Sequence, residues 1–448
     1  MLAFWMKACV HIAFELDFGE SVGAFNGSPQ GWDDGLLVGM WAMAAAIFFR
    51  LGQIYMLRQR RISLKVYPDT MYAPAWYVNY GRWVWCFSLV IILCVALVNF
   101  TWGIFQIGML PNILPFKLNA LIAAALNLLF PLWMATLIWW DVCLKKPFLL
   151  RFIGAVFEAI IGSVSILSRG AYVYHTLHYL VSSSLNWKAL HLSRLGYIGV
   201  LIIIALGTVG TSLLTTNVRT SLYATTTQQL TTQQLTTQQE ITQKNLEKYK
   251  VQQKNVIWHN DFYQVMISKG LSNATSRMLT LLVDRWIGLE GILAVSAYDQ
   301  TGRELFVNGW MEKTTLSTKV VFNYISNSIY IDSKNIGAEG FLFSSIPGLV
   351  AMLYYSGSYL IVFVGVILLF LLVGLLEYFV FLMVKNPFIF SFLGIYMANM
   401  LAQFSTLHQL LIQLIEITLI LSLVAWLQPN RNQEDKCKSD GGCLEEAT

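Results

Sequence analysis

The sequence predicts a polytopic α-helical membrane protein of about six to nine spans, with one small extracytoplasmic α+β domain on a Gln/Thr-rich helical stalk. Three observations lead there. Hydrophobic residues make up 56% of the chain and charged residues only 12%, with a mean hydropathy of +0.57, far outside the soluble range. Apolar runs long enough to cross a hydrocarbon core recur along the chain, and basic clusters flank them in the pattern of the positive-inside rule. One long polar stretch, residues 217–348, interrupts these runs. Fifteen Trp and twenty Tyr fit the aromatic belts of a membrane protein.

Residues 1–34 carry Glu15, Asp17, Glu20, Asp33 and Asp34 against Lys7, and are predicted to be an acidic extracytoplasmic segment. Residues 35–216 form the N-terminal transmembrane bundle. Its first span, Gly35 to Tyr55, ends at Arg58, Arg60, Arg61 and Lys65, which place that end in the cytoplasm. Trp83 to Phe105 returns outward, and Leu118 to Trp140 comes back in before Lys145, Lys146 and Arg151. Residues 149–195 are basic at both ends, so they form either a hairpin that crosses twice or a pair of amphipathic helices in the inner interface. Gly196 to Thr216 then crosses outward, which puts residues 217–348 outside. Ser358 to Val384 crosses back and is broken at Pro387. Within 349–427, the stretches Phe388 to Gln403 and Leu407 to Leu427 make one further span or a final hairpin, before a polar tail, 428–448.

The polar stretch divides in two. Residues 217–271 are a Gln/Thr-rich stalk or linker built on the unit Thr226-Thr227-Gln228-Gln229-Leu230. Leu230 and Ile241, like Leu235 and Leu246, are eleven apart and share one side of a helix. Such repeats also form low-complexity spacers, so stalk and spacer both stand. Residues 272–348 read as an α+β domain. A helix from Ser272 to Trp286 precedes a strand over Gly291 to Tyr298, a turn at Asp299 to Gly302 and a return strand from Arg303 to Val307. Thr318 to Tyr324 and Ser328 to Asp332 add further strand candidates.

The strand ending in Tyr298-Asp299, then Gly302, Leu305 and Asn308-Gly309, resembles the extracytoplasmic PAS/Cache-like sensor modules of bacterial membrane receptors. More narrowly, residues 279–309 look like the Smp/AhpA family of haemolysin-like membrane proteins. The resemblance implies a sensing or docking role and transfers no ligand-binding residue. Its contact surface would be the hairpin of Tyr298, Asp299, Gly302 and Arg303. Residues 118–194, with Glu158, His175-Thr176 and Trp187, are similar in layout to the membrane region of processive family-2 glycosyltransferases. The acidic DxD-type and QxxRW motifs of that family are absent from the sequence.

Few residues carry chemistry. His175 and His178 stand three apart, share a helical face and are weak metal candidates; an aromatic–polar belt with Tyr172, Tyr174 and Tyr179 is the plainer reading. Glu158, Glu377 and Glu416 fall inside apolar segments, where ionisable groups are costly and are functional candidates by default. No third metal ligand is evident, and no phosphate-binding, nucleophile-elbow, zinc or dinucleotide motif occurs. Six scattered Cys show no zinc spacing. The basic residues lie beside spans, so no nucleic-acid face is expected. The expectation is a non-enzymatic, multi-pass protein of the bacterial inner membrane, without a cofactor, whose partners are lipids and other proteins of an envelope assembly. Two alternatives stand: a membrane subunit of a secretion, conjugation or polysaccharide-export machine, and a proton- or ion-coupled transporter.

Overall fold

The computed structural model describes residues 2–14, 22–60, 73–107, 112, 114–168, 170–186, 193–237, 288–312, 321–325, 347–403 and 407–427. Among them every regular element is a helix. Seven helices are long and apolar enough to cross a membrane: Pro29–Met56, Ala75–Trp102, Pro115–Cys143, Phe148–Ser165, Arg194–Arg219, Tyr359–Val384 and Leu407–Trp426. The number falls within the expected range. Large side chains such as Phe48, Phe87, Leu206 and Leu368 face outward from these helices, as lipid-facing positions do. The chain divides into two compact units.

The first unit comprises residues 1–62, 222–373 and 397–412. Helix α1 (Leu2–Phe14) and helix α2 (Pro29–Arg60) open it. The sequence suggested strands over 291–298 and 303–307, and the structure overturns this. Leu289–Ser296 is helix α9 and Arg303–Met311 is helix α10, joined by a turn; α11 (Val321–Ile325) and α12 (Leu349–Tyr354) follow. The physical reason is that a short apolar run fits a buried strand and a buried helix equally well, so its surroundings decide. Leu289 to Val295 are all buried, among Phe4 and Ala8 of α1, Val38, Ala42 and Ala45 of α2, and Val362 and Val366 of α13 (Tyr359–Val384). A strand among helices would leave its backbone N–H and C=O groups unpaired, whereas a helix satisfies its own. No α+β domain is present among the described residues; the expected helix 272–286 and the strand at 328–332 lie outside them.

Two contacts fix α9. Lys7 of α1, fully buried, pairs with Glu290. Gly291 runs so close to the Pro347 carbonyl that any Cβ would collide with it. The predicted acidic segment 1–34 therefore contains a packed helix.

The second unit comprises residues 63–221, 374–396 and 413–448. Helix α3 (Ala75–Trp102) ends at Gly103, whose φ of 57° supplies the left-handed cap. Helix α4 (Leu118–Ala124) passes through a π-helical turn, Ala125–Leu129, into α5 (Phe130–Cys143). Helix α6 (Phe148–Ser165) packs on α3, α5 and α7 (Ala171–Asn186), so the segment 149–195 holds a helical hairpin turning at Leu167. Helix α8 runs from Arg194 to Thr237, 44 residues, and its backbone stays helical through the first pentads. Helices α14 (Pro387–Gln403) and α15 (Leu407–Trp426) complete the described chain.

Two polar nodes lock this unit. Asp141, 1% exposed, bonds Lys146 at 2.8 Å and Arg151 at 2.7 Å. Trp85 Nε1 donates to it at 3.0 Å. The cations are also stacked, Lys146 over Tyr77 and Arg151 over Trp85. At the other end of α3 the buried Asn99 donates to Ser165 O and Oγ and to Phe105 O, and accepts from the Phe105 N–H at 2.8 Å. Asn99 begins a glycosylation sequon in the sequence, but in the fold it joins the end of α3 to the end of α6.

Candidate functional site

The stripe that α6 buries is Phe148, Phe152, Ala155, Glu158, Ala159 and Gly162, while Leu149, Leu150, Ile153 and Phe157 face outward. Helical periodicity thus carries Glu158 into the interior with the apolar face. Helix α7 buries Tyr172, Tyr174, His175, Thr176, His178, Tyr179, Ser182 and Ser183. This is too many for one stripe, so α7 is enclosed on most sides. Its polar residues then have to find partners inside the protein.

Some do. Thr176 Oγ1 donates back to the Tyr172 carbonyl at 2.7 Å, and Ser182 Oγ bonds both the Pro387 carbonyl and Ser391 Oγ of α14, each at 2.8 Å. Tyr174 donates to Asn127 Oδ1 at 2.9 Å. Asn127 lies in the π-helical turn, an irregularity often found at functional positions.

Around Glu158 the accounting fails to close. Glu158 is 1% exposed and His175 and His178 are 0% exposed. His175 Nδ1 stands 3.2 Å from Glu158 Oε1, yet off the line of a hydrogen bond, so neither ring nitrogen of His175 is hydrogen-bonded. His178 Nδ1 lies 3.3 Å from the Tyr174 carbonyl. A carbonyl only accepts, so this nitrogen carries a proton. His178 Nε2 is then a lone-pair base in the neutral ring, and it has no partner. The Tyr179 ring lies tilted against the His178 ring, centroids 3.8 Å apart, and its hydroxyl has no partner either.

The walls are aromatic. Phe392 of α14 meets the rings of His175 and His178 edge to face, at 6.2 and 5.1 Å. Phe152 and Phe388 enclose Tyr179. Gly162 leaves room beside the pair: a Cβ there would rest 3.6 Å from Glu158 Oε1 and 3.8 Å from His175 Nδ1. The site is thus one acid and two imidazoles in an apolar box, with a methyl-sized space against them.

The structure brings together Glu158, His175 and His178, which the sequence marked separately. Among the described residues no three His, Cys, Asp or Glu side chains converge as metal ligands. Glu416 of α15 is half-buried and within electrostatic reach of Tyr396, whose ring lies 6.1 Å from that of Tyr174. Glu377 of α13 packs its carboxylate against Gly394 of α14. Tyr298, Asp299, Gly302 and Arg303 occupy the turn between α9 and α10. The Gly302 N–H donates to the Tyr355 carbonyl at 2.7 Å, and Asp299 and Arg303 are exposed. Sequence reasoning missed Asn127, Gly162 and Tyr396. A signal existed for the first: an Asn within an apolar span, four residues before Pro131, marks a helix whose backbone pattern is about to break.

No family model, curated protein or solved structure matches the chain.

Proposed function

We propose that this chain is a non-enzymatic membrane subunit of a bacterial cell-envelope assembly, docking a protein partner through the surface that α10 presents. The observation that carries the reading is the outward face of α10. Val307 and Met311, one turn apart, are 47% and 64% exposed and are flanked by exposed Arg303, Glu304 and Asn308. This helix lies outside the membrane-spanning candidates. An exposed apolar pair with a charged rim is the anatomy of a contact surface, and Gly309 beneath it seats on the Tyr355 ring, so the face rests on a firm base.

A secretion, conjugation or polysaccharide-export machine is the setting that such a subunit fits. A photo-crosslinker at Met311 of the full-length chain in its native membrane tests the reading. Specific adducts are expected, and V307R with M311R should release the partner without changing the melting temperature of the purified chain. A complex that survives both substitutions would remove α10 from the interface.

Ion- or proton-coupled transport is a second reading, favoured by the carboxyl of Glu158 buried beside His175. Proteoliposomes report on it directly: proton uptake driven by an imposed potential should vanish in E158Q, and its absence from the unmodified protein would end this reading.

A further inference from the structure

Glu158, His175, His178 and Tyr179 form a set whose polar atoms cannot all be satisfied by the protein. In a low-dielectric interior, a carboxylate without hydrogen-bond donors is far costlier than its neutral acid. The ionisable groups that surround it are few. Helix α6 contributes Glu158, α7 contributes Tyr174, His175, His178 and Tyr179, and α14 contributes Tyr396, which in turn senses Glu416 of α15. Among the described residues between Asp141 and His175, Lys146 and Arg151 are paired with Asp141. No fixed positive charge among these groups neutralises Glu158. A proton bound to the carboxylate cancels its charge and leaves a neutral acid.

We propose that Glu158 and His175 form a buried one-proton site, with the proton resting on the Glu158 carboxyl and passing to His175 Nδ1. In that step the Glu158 O–H bond breaks and the His175 N–H bond forms, and the electron pair left on oxygen makes the carboxylate. The pair stays neutral overall in both forms. The 3.2 Å separation is within transfer reach, and Gly162 leaves the room for the carboxyl to turn onto the line it now misses. His178 Nε2, an unpartnered base in the same box, is the next acceptor.

The test is infrared spectroscopy on the full-length protein reconstituted in bilayers at neutral pH. The expected result is a carbonyl-stretch band of a protonated carboxylic acid that shifts in heavy water and is missing from E158Q. Carbon-13 labelling of Glu in the unmodified protein identifies the carboxyl class without relying on the folding of a variant. Absence of any protonated-acid band from Glu would overturn the site, because Glu158 would then be a fixed carboxylate.

Discussion

Asp141 and Glu158 are both 1% exposed and lie in the same helical unit, yet they are held in opposite ways. Asp141 has Lys146, Arg151 and the Trp85 indole on its two oxygens, all at 2.7–3.0 Å. Glu158 has a single misaligned imidazole and an aromatic wall. A buried carboxylate set between two cations and an indole donor is a structural fastener, and removing a partner leaves the remainder stranded. A buried acid left short of partners adds little to stability. The difference separates what holds this fold from what the fold holds in readiness. Lys7 and Glu290 in the first unit belong with Asp141: their partners are fixed in charge and close together.

The comparison can be broken at its strongest point first. Lys7→Met leaves Glu290 buried without its cation and should cost about 4 kcal/mol, read as a lower melting temperature in detergent. Adding Glu290→Gln should recover part of the loss, because the orphaned charge is gone. Asp141→Asn should cost about 3 kcal/mol in the same assay, less because Lys146 and Arg151 keep 31% and 24% of their side chains exposed. Glu158→Gln should cost about 1 kcal/mol or less. A loss equal to that of Asp141→Asn would mean that Glu158 is a fastener too.

The smallest effect concerns Glu312, at the end of α10. Burial raises its carboxyl above the ordinary range, offset in part by the Val321 N–H that donates to it at 3.0 Å. The fold thus favours the protonated form. Its contribution is complete below the usual carboxylate pKa and is lost as pH rises through the raised value. A shallow decline in stability from acid toward neutral pH should disappear in Glu312→Gln, as thermal unfolding across that range would record.

Much of this was legible in the chain. The spans and the break at Pro387 follow from composition and from backbone groups that need partners in lipid. Glu158, His175 and His178 stood out as polar residues in apolar surroundings. Their meeting was not legible, because Glu158 and His175 come from separate helices and their separation depends on how α6 and α7 turn at Leu167. The run from Gly291 to Val295 misled because a short apolar segment reads alike as buried strand and buried helix.

The sequence by itself determined that the chain is a helical membrane protein, since 56% hydrophobic residues in span-length runs leave few other ways to satisfy the backbone. It also determined which polar side chains would be costly to bury. Tertiary structure alone decided that Leu289 to Val295 would be helical, that Asp141 would sit beside two cations and that Glu158 would be left with one imidazole. Those outcomes rest on contacts between elements distant in the chain, where the partner that packing brings near fixes both conformation and charge.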